Sequence, residues 1–390
     1  MRVVVVGGGF GGVKTALLLA NKPGIEVILV TPKTNFEYHG ALYRSATGHS
    51  PLELVLPLRD IFKRAKNVKI FYDKIISLNI HKQVLFGESG QAYPYDNVVF
   101  AMGNVVNYFG IEGMEKHSHP MDTIGNTMQL RQEIMRLVRT AGSNHTIRFA
   151  VIGGGATGVE LAAELPSFIR RVVKRYALGK RKVEIVLVEG APRVLPMLQE
   201  RASAKVAQRL RKLGVHLQLS TKVNACKSGA VCLSVGDLKA DLIIWTAGSK
   251  IAPFFSQYPD IFQLEKGRVH VDEHLRVFGH KHLYVIGDNA ATPYSGMAQT
   301  ALHDAKYVAA TLIRENQGKP ARTYQARHPL YVVPVGPRWA IVQNKKKILG
   351  GYRGWRIRRQ ADLWIFRNFE PYGKAIVTWR KGSRLARFFR

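Results

Sequence analysis

Glycines recur at one fixed spacing at two places in the chain, each directly after a short apolar run. They are Gly7, Gly9 and Gly12, and Gly153, Gly155 and Gly158. In the G-x-G-x-x-G pattern the first glycine makes a tight turn, the second lets the backbone approach a pyrophosphate, and the third lets a helix pack closely on a strand. The helix that follows presents free N–H groups to the phosphates. Two copies in the same strand–turn–helix context predict two dinucleotide sites.

The residue at the end of the next strand decides how a nucleotide's ribose is held. A carboxylate there accepts hydrogen bonds from the ribose hydroxyls and repels a 2′-phosphate. The second unit carries Glu189, which predicts NADH rather than NADPH, although Arg193 and Arg201 nearby leave the choice open and a surface glutamate is the structural alternative. The first unit carries Thr31, so we expect it to hold the adenosine end less firmly.

Parallel strands and helices must position these residues. We predict one strand–helix–strand unit from strands at 3–6 and 25–30 with a helix at 12–21, and a second from strands at 148–152 and 183–188 with a helix at 158–177. Residues 34–50 are predicted to be a ligand-lining loop, 52–66 an amphipathic helix, and 123–139 a further helix.

The two units also end alike, in a short strand and a small turn at Gly103 and at Gly248. A later apolar strand at 282–286 stops in Gly287-Asp288, before a helix predicted at 295–314. A carboxylate at the C-terminal end of such a strand is well placed to accept a hydrogen bond from a ribityl hydroxyl.

Composition limits the class of protein. The 390 residues suffice for two or three domains. A formal charge of +31 favours anionic partners, whether nucleic acid, acidic lipid or a phosphorylated cofactor. Cys226 and Cys232 are the only cysteines, so we expect no disulfide framework. We therefore expect the protein to lie in a reducing compartment. Met1 leads directly into a strand, which predicts no cleaved leader, and no apolar stretch of about 18 residues predicts a membrane span.

Taken together, these features resemble the flavoproteins with two dinucleotide-binding domains, and within them most closely the type II NADH:quinone oxidoreductases. The resemblance covers about residues 1–320 and rests on the two glycine turns, the Gly-Asp strand, Ala46-Thr47-Gly48, Pro57-Leu58-Arg59, residues 153–164 and Ala298-Gln299. It implies an α/β fold of two Rossmann-like domains, with FAD in the first turn and NADH in the second. The implied domains are an FAD domain at 1–112 and 271–322, an NAD(H) domain at 113–270, and a basic membrane-docking segment at 323–390.

The resemblance also implies roles for single residues. FAD would be bound by the first turn, Thr47, Gly103, Asp288 and Ala298, and NADH by the second turn, Glu189 and Gly248. Glu160 would lie between nicotinamide and flavin, unless it is an ordinary helix glutamate. Gln299 would face a quinone, and His303 stands where the family has a second glutamine. A histidine there can donate a proton near neutral pH, or be a packing residue. No metal site is expected.

The implied reaction is hydride transfer from NADH to FAD, followed by transfer of two electrons to menaquinone or ubiquinone without proton pumping. Disulfide reductases and sulfide:quinone reductases need flavin-facing cysteines, and neither Cys226 nor Cys232 is suitably placed. A soluble reductase that uses oxygen, a dye or an iron–sulfur protein remains an alternative. So does a binding protein that keeps the flavin fold for nucleic acid or a protein partner.

Residues 338–390 carry fifteen Lys and Arg but only Asp362 and Glu370 as acids. The interleaved aromatic residues are Trp339, Tyr352, Trp355, Trp364, Phe366, Phe369, Trp379, Phe388 and Phe389. Aromatic anchors with a basic rim predict docking on an anionic membrane surface, through one helix at 355–369. Nucleic-acid binding and a solvated basic face are the alternatives. We expect a peripheral protein on the inner, cytoplasmic face of the cell membrane, with a homodimer left open.

Overall fold

The computed structural model describes the backbone of residues 1–388 and the side chains of residues 1–380. The first third contains strands β1 (Arg2–Val6), β2 (Glu26–Val30), β3 (Asn35–Glu37), β4 (Val55–Pro57), β5 (Val68–Phe71), β6 (Ile75–Asn79), β7 (Val84–Gly87), β8 (Ala92–Pro94), β9 (Asn97–Phe100) and β10 (Asn104–Val106). Its helices are α1 (Phe10–Leu19), α2 (Leu42–Ala46), α3 (Leu58–Ile61) and α4 (Met114–His117).

The middle third contains strands β11 (His119–Pro120), β12 (Thr146–Ile152), β13 (Lys182–Val188), β14 (Val215–Gln218), β15 (Val223–Lys227), β16 (Ala230–Leu233), β17 (Gly236–Lys239), β18 (Leu242–Trp245), β19 (Ser249–Ile251), β20 (Leu264–Glu265) and β21 (Arg268–Val269). Its helices are α5 (Ile124–Thr140), α6 (Ala156–Arg175) and α7 (Glu200–Lys212). The last third contains β22 (Leu283–Val285), α8 (Ala298–Asn316), β23 (Tyr331–Pro334), β24 (Ala340–Asn344), β25 (Lys347–Gly351), α9 (Tyr352–Arg367) and α10 (Tyr372–Phe388).

The first sheet has five parallel strands in the order β22-β9-β1-β2-β5. Its central strand β1 is apolar because both faces are covered, and Val3, Val4 and Val5 are fully buried. Helix α1 packs against α8 on one face. Strand β22 joins this sheet after the whole middle third, so the chain leaves the first sheet and returns to it.

The second sheet repeats this arrangement with five parallel strands in the order β11-β18-β12-β13-β14. Helices α5, α6 and α7 bury their apolar faces against it, and Phe149, Val151 and Leu161 lie in that core. The chain passes from the first sheet to the second through β10 and leaves the second sheet through β19, and these two strands pair antiparallel. The predicted α/β fold of two Rossmann-like units is therefore confirmed.

Residues 34–66 differ from the sequence-based expectation. The helix predicted at 52–66 is wrong, since β4 pairs antiparallel with β3 and places Phe36 opposite Leu56, both buried. Pro57 then ends the strand, and only the short helix α3 follows. The segment predicted as a loop at 34–50 contains β3 and α2. Pairing between distant segments decided this region, and an apolar periodicity in one of them cannot report such pairing.

The C-terminal segment has more structure than one helix. Strands β23, β24 and β25 form an antiparallel sheet, and α10 follows α9. The aromatic rings of Phe366 and Phe369, expected to be membrane anchors, lie in the core of the first unit, with the Phe369 centroid 4.2 Å from that of Phe36. The side chain of Phe388 and all of Phe389 lie outside the described residues, as do the basic side chains after residue 380.

Candidate active site

The first glycine turn joins β1 to α1. A Cβ atom on Gly12 would lie 1.9 Å from the carbonyl oxygen of Gly7, so only glycine permits this contact between helix and turn. Gly7 has φ +119°, which favours glycine. A Cβ on Gly9 would meet no atom within 4 Å, so the backbone there is open to a ligand. The three positions therefore have the geometry expected of a pyrophosphate cradle.

The second glycine turn, between β12 and α6, has the same geometry. A Cβ on Gly158 would lie 1.9 Å from the carbonyl oxygen of Gly153, whereas one on Gly155 would meet nothing within 4 Å. Two cradles of one design thus lie at the C-terminal ends of the central strands of two parallel sheets. Ligands of such sheets bind at these ends.

Thr31 and Glu189 occupy equivalent positions beside the two turns. A Cβ on Gly8 would lie 2.6 Å from Thr31 Oγ1, and one on Gly154 would lie 2.9 Å from Glu189. The backbone N–H of Gly154 donates to Glu189 Oε2 at 2.5 Å, and the N–H of Ala191 donates to Oε1 at 2.7 Å. Two backbone N–H groups thus fix the glutamate beside the second turn, while the buried threonine offers no charge at the first.

Gly103 and Asp288 come together at the ends of β9 and β22. Asn289 links them, since the N–H of Gly103 donates to its side-chain oxygen at 3.0 Å and its amide donates back to the Gly103 carbonyl at 2.7 Å. The amide of Asn104 donates to Asp288 Oδ2 at 3.1 Å. Burial raises the pKa of Asp288, and the charge of Arg268 opposes that effect. The fully buried Asn289 was missed, although it directly follows Asp288.

Gly248 lies in a different environment from Gly103. A Cβ on Gly248 would lie 2.4 Å from a ring carbon of Phe109 and 2.5 Å from the carbonyl oxygen of Asn107. This packing alone explains a glycine at position 248, so the glycine is no evidence of a cofactor contact. The open site at Gly103, where a Cβ would meet nothing within 4 Å, has no equivalent at Gly248.

Thr47 ends α2 and fixes the following turn against α6. Its hydroxyl donates to the carbonyl of Tyr43 at 2.8 Å, and its own carbonyl accepts from Arg171 of α6 at 3.0 Å. Gly48 packs against Phe168 on the same helix. Thr47 is therefore held close to the helix that carries Glu160.

Glu160 is 8% exposed and lies near a buried cluster of charges. Burial raises its pKa to about 8, and the positive charges of Arg358 and Arg44 oppose the rise. Asp362 binds this cluster together, accepting from Arg44 Nη2 at 2.6 Å and from the hydroxyl of Tyr38 at 2.9 Å. Arg358 Nη2 lies 3.4 Å from the same carboxylate.

The predictions made from the sequence did not include this cluster, because its members come from opposite ends of the chain. One signal was present: Asp362 is one of two acids among fifteen basic residues in its segment. An acidic residue within so basic a segment, on a helix with apolar neighbours, indicates that the acid pairs with a buried basic residue.

Gln299 and His303 both bind the extended segment that follows α8. The amide of Gln299 donates to the carbonyl of Leu330 at 2.7 Å, and the Leu330 N–H donates back at 3.1 Å. His303 Nε2 donates to the carbonyl of Gln325 at 2.8 Å. Both side chains hold residues 325–330 against α8, which Ala298 begins, so a quinone contact by either remains a prediction.

Known proteins resemble this chain over most of its length. The family described as pyridine nucleotide-disulphide oxidoreductase matches residues 1–310. The chain is 28% identical to the type II NADH:quinone oxidoreductase Ndh of Mycobacterium tuberculosis over 340 residues, which cover 81% of this chain and 73% of that protein. It is 26% identical to the type II NADH:quinone oxidoreductase of Staphylococcus aureus over 344 residues, covering 83% and 85%.

The solved structure of NDH2 from Plasmodium falciparum in complex with NADH matches with a TM-score of 0.86. The match covers 98% of this chain and 97% of that one, at 17% sequence identity. At this identity the likeness concerns the fold, and it includes the C-terminal part of the chain.

Proposed function

Because the chain belongs to the pyridine nucleotide-disulphide oxidoreductase family, we propose that it oxidises NADH at a bound flavin and passes two electrons to a quinone. The predicted family, oxidoreductase chemistry and cofactors, FAD and NADH, are confirmed. The observation that carries the proposal is the pair of open glycine turns on two parallel sheets, with Glu160 buried on the helix that follows the second turn.

The residues present fit both dinucleotides. We assign Gly7, Gly9, Gly12, Thr47, Gly103, Asp288 and Ala298 to FAD, and Gly153, Gly155, Gly158, Glu189 and Gly248 to NADH. The N-termini of α1 and α6 would present free N–H groups to the two pyrophosphates. Asp288 would accept from the ribityl chain, and Glu189 from the adenosine ribose of NADH. Of these assignments, Gly248 has the least support from the geometry.

When bound, NADH supplies a hydride and FAD carries the two electrons to the acceptor. Glu160 supplies what the protein must add, a proton held at a buried carboxyl. With a pKa of about 8 it is mostly protonated at pH 7 and can still release its proton. The neighbouring charges of Arg44 and Arg358 stabilise the carboxylate left behind.

A quinone is the acceptor that the residues favour. Cys226 and Cys232 are the only cysteines, and they lie on β15 and β16 of a small antiparallel sheet in the second unit. They are free thiols there, so a dithiol relay at the flavin is not supported. The relatives described above carry the name NADH:quinone oxidoreductase. Electrons would therefore leave the flavin directly, toward menaquinone or ubiquinone near Gln299 and His303, without proton pumping.

We further propose that the protein works on the inner face of the cell membrane. No helix in the part of the chain that the structure describes is long and apolar enough to cross a bilayer. Helix α10 packs against the short helical turn Pro51–Glu53, and Leu52 in that turn is 72% exposed. Trp364 and Val377 on α9 and α10 are also exposed. With the surrounding Lys and Arg, they form a surface suited to anionic lipid.

The domain limits stay as proposed from the sequence: 1–112 and 271–322 for FAD, 113–270 for NAD(H), and 323–390 for the basic segment. The course of the chain through the two sheets supports them.

The purified protein tests the proposal directly. It should be yellow, bleach on addition of NADH, and regain its colour when a quinone is added. Turnover with a long-chain quinone should be higher in phosphatidylglycerol vesicles than in phosphatidylcholine vesicles, and the difference should shrink as salt is raised. Equal rates with oxygen or a dye, and no gain from vesicles, would favour a soluble reductase.

A matched pair of variants separates docking from general loss of apolar surface. Trp364→Ser combined with Val377→Ser should lower co-sedimentation with anionic vesicles, leaving reduction of the flavin by NADH unchanged. Val235→Ser removes an even more exposed apolar side chain from the turn between β16 and β17, and should have no effect on either measurement.

A further inference from the structure

Four titratable side chains connect the 50–53 turn at the protein surface with the site at Glu160. We call them the Glu53–Glu160 line; in order they are Glu53, His49, Glu164 and Glu160. Glu53 and His49 lie at and just before the short helical turn Pro51–Glu53, beside the exposed Leu52. Glu164 and Glu160 lie on α6. The mechanism proposed above uses only Glu160.

The outer pair has unused hydrogen-bonding capacity. His49 Nδ1 and Glu53 Oε2 are 3.5 Å apart. Among the described residues, neither His49 Nδ1 nor Glu53 Oε1 has a hydrogen-bond partner, although both atoms are buried. A buried polar atom without a hydrogen-bond partner destabilises the fold, so it needs a reason to persist. Groups that gain and lose a proton in every cycle are such a reason, because a fixed partner would hold them in one state.

Glu164 links this outer pair to the inner site. It lies four residues after Glu160, so the two carboxyls share one face of α6, with about 5–6 Å between their Cβ atoms. Burial raises the pKa of Glu164, and the charges that oppose the rise are, in order, those of His49, Arg171, Arg44 and Arg209. Glu164 therefore lies within electrostatic reach of His49 on one side and one helical turn from Glu160 on the other.

The remaining charges around the line come from three other elements. Arg131 of α5 donates to the backbone carbonyl of His49 at 3.3 Å, and Arg359 of α9 is close enough to Glu53 to interact with its charge. Arg358 and Asp362 of α9 act on Glu160, as does Arg44 of α2. The surroundings are thus net positive, which stabilises the line while one carboxyl is ionised.

We propose that the Glu53–Glu160 line is a proton relay that supplies Glu160 from the surface turn at residues 50–53. The inference rests on the proposed function. Reduction of a quinone by NADH takes two electrons and one proton from NADH, transferred together as a hydride, and one further proton from water. That proton binds Glu53, passes through His49 and Glu164, and replaces the proton that Glu160 has given up. Each relay group gains one proton and passes one on, so all return to their starting states.

Glu53→Gln and His49→Gln test the relay, with the exposed residues Glu200→Gln and His145→Gln as matched controls. The FAD-loaded protein is first reduced with one equivalent of NADH and then mixed with quinone, while a pH indicator follows proton uptake. Proton uptake and flavin reoxidation should slow about tenfold in each relay variant, with a larger solvent deuterium isotope effect. Imidazole in the buffer should partly restore His49→Ala. The two controls should behave as the unsubstituted protein does.

A second readout needs no turnover. Infrared difference spectra of the FAD-loaded protein, recorded against pH without NADH or quinone, follow protonation of the buried carboxyls, and Glu164→Gln identifies the Glu164 band. His49→Gln should move the titration of Glu164 to higher pH, because it removes the positive charge that opposes protonation of this carboxyl. His145→Gln should leave it in place.

Two results would overturn the relay. One is unchanged proton uptake and isotope effect in both relay variants, with normal flavin content, while Glu160→Gln is slow. The other is a Glu164 titration that is the same in His49→Gln as in the unsubstituted protein. Failure of the proposed function is a separate result: the unsubstituted protein would bleach with NADH but not reoxidise with quinone, while the infrared titration still reports whether His49 and Glu164 are coupled.

Discussion

Arg44 and Asp362 form a buried ion pair across 318 residues of sequence, with 2.6 Å between Arg44 Nη2 and Asp362 Oδ2. The pair joins α9 to the segment just before Thr47, so the C-terminal segment is part of the wall around Glu160. Asp362 is fully buried, and its pKa is lowered because the charges of Arg358 and Arg44 outweigh the effect of burial.

Asp362→Asn should destabilise the fold by about 3–5 kcal/mol, since it leaves the buried guanidinium of Arg44 without its counter-charge. Urea unfolding at pH 7 measures this. Glu133→Gln breaks an exposed pair with Arg136 on α5 and should cost at most about 1 kcal/mol. Equal costs for the two substitutions would contradict a structural role for the buried pair.

Glu160 should make the stability of the fold depend on pH in a defined window. Its folded-state pKa of about 8 is above the ordinary value of 4.5, so the folded state binds this proton more tightly than the unfolded state does. The resulting stabilisation is complete below pH 4.5 and is lost as pH rises through 8. Glu160→Gln should remove the loss, which amounts to about 1.4 kcal/mol per pKa unit. Unfolding midpoints of both proteins from pH 5 to 9 measure it, and parallel curves would refute it.

Gly12→Ala and Gly9→Ala should separate folding from cofactor binding. The first places a methyl group against the carbonyl oxygen of Gly7 and should unfold the protein or lower its melting temperature sharply. The second meets no protein atom, so the flavin-free protein should keep its stability but bind FAD more weakly. Flavin content and thermal melting of the two variants decide this. A Gly9→Ala protein that retains FAD fully would show that the pyrophosphate does not approach Gly9.

Glu189→Gln should lower the preference for NADH over NADPH, because the carboxylate that repels a 2′-phosphate is lost. The ratio of kcat/KM for the two nucleotides should fall, with FAD binding unchanged. Glu184→Gln, five residues earlier and on β13, removes a carboxylate that pairs with Arg148 and should leave the ratio as it was. If Glu189→Gln leaves the ratio unchanged, Glu189 does not set the choice of nucleotide. Its role would then be to hold the turn through the N–H groups of Gly154 and Ala191.

The features that could be predicted from the sequence are those set by short segments. Each glycine turn is specified within a dozen residues, and so are the buried strands that precede them, because apolar β-branched runs indicate central parallel strands wherever they lie. Glu189 and Asp288 followed from their positions at strand ends. The resemblance to a known family then connected these pieces into one site.

The features that could not be predicted depend on pairing between distant segments. Strand β4 exists because β3 is beside it, and Asp362 is buried because Arg44 and Tyr38 surround it. Gln299 and His303 bind an extended segment whose course no local pattern indicates. Phe366 and Phe369 show the same limit, since an aromatic residue in a basic helix suits a membrane surface or a core equally well until its neighbours are known.

The core of the first sheet also sets the order in which the protein can be assembled. The second sheet draws its strands from residues 119–245 alone, so it can form as soon as that stretch has been synthesised. The first sheet cannot be completed until β22 has been synthesised. Its helix α1 is completed later still, because Lys14 donates to the carbonyl of Asn368 beyond the end of α9. Contacts across so much chain form late. The half of the molecule that begins first on the ribosome is therefore completed last, and its first glycine turn acquires its full support only once the C-terminal helices have docked.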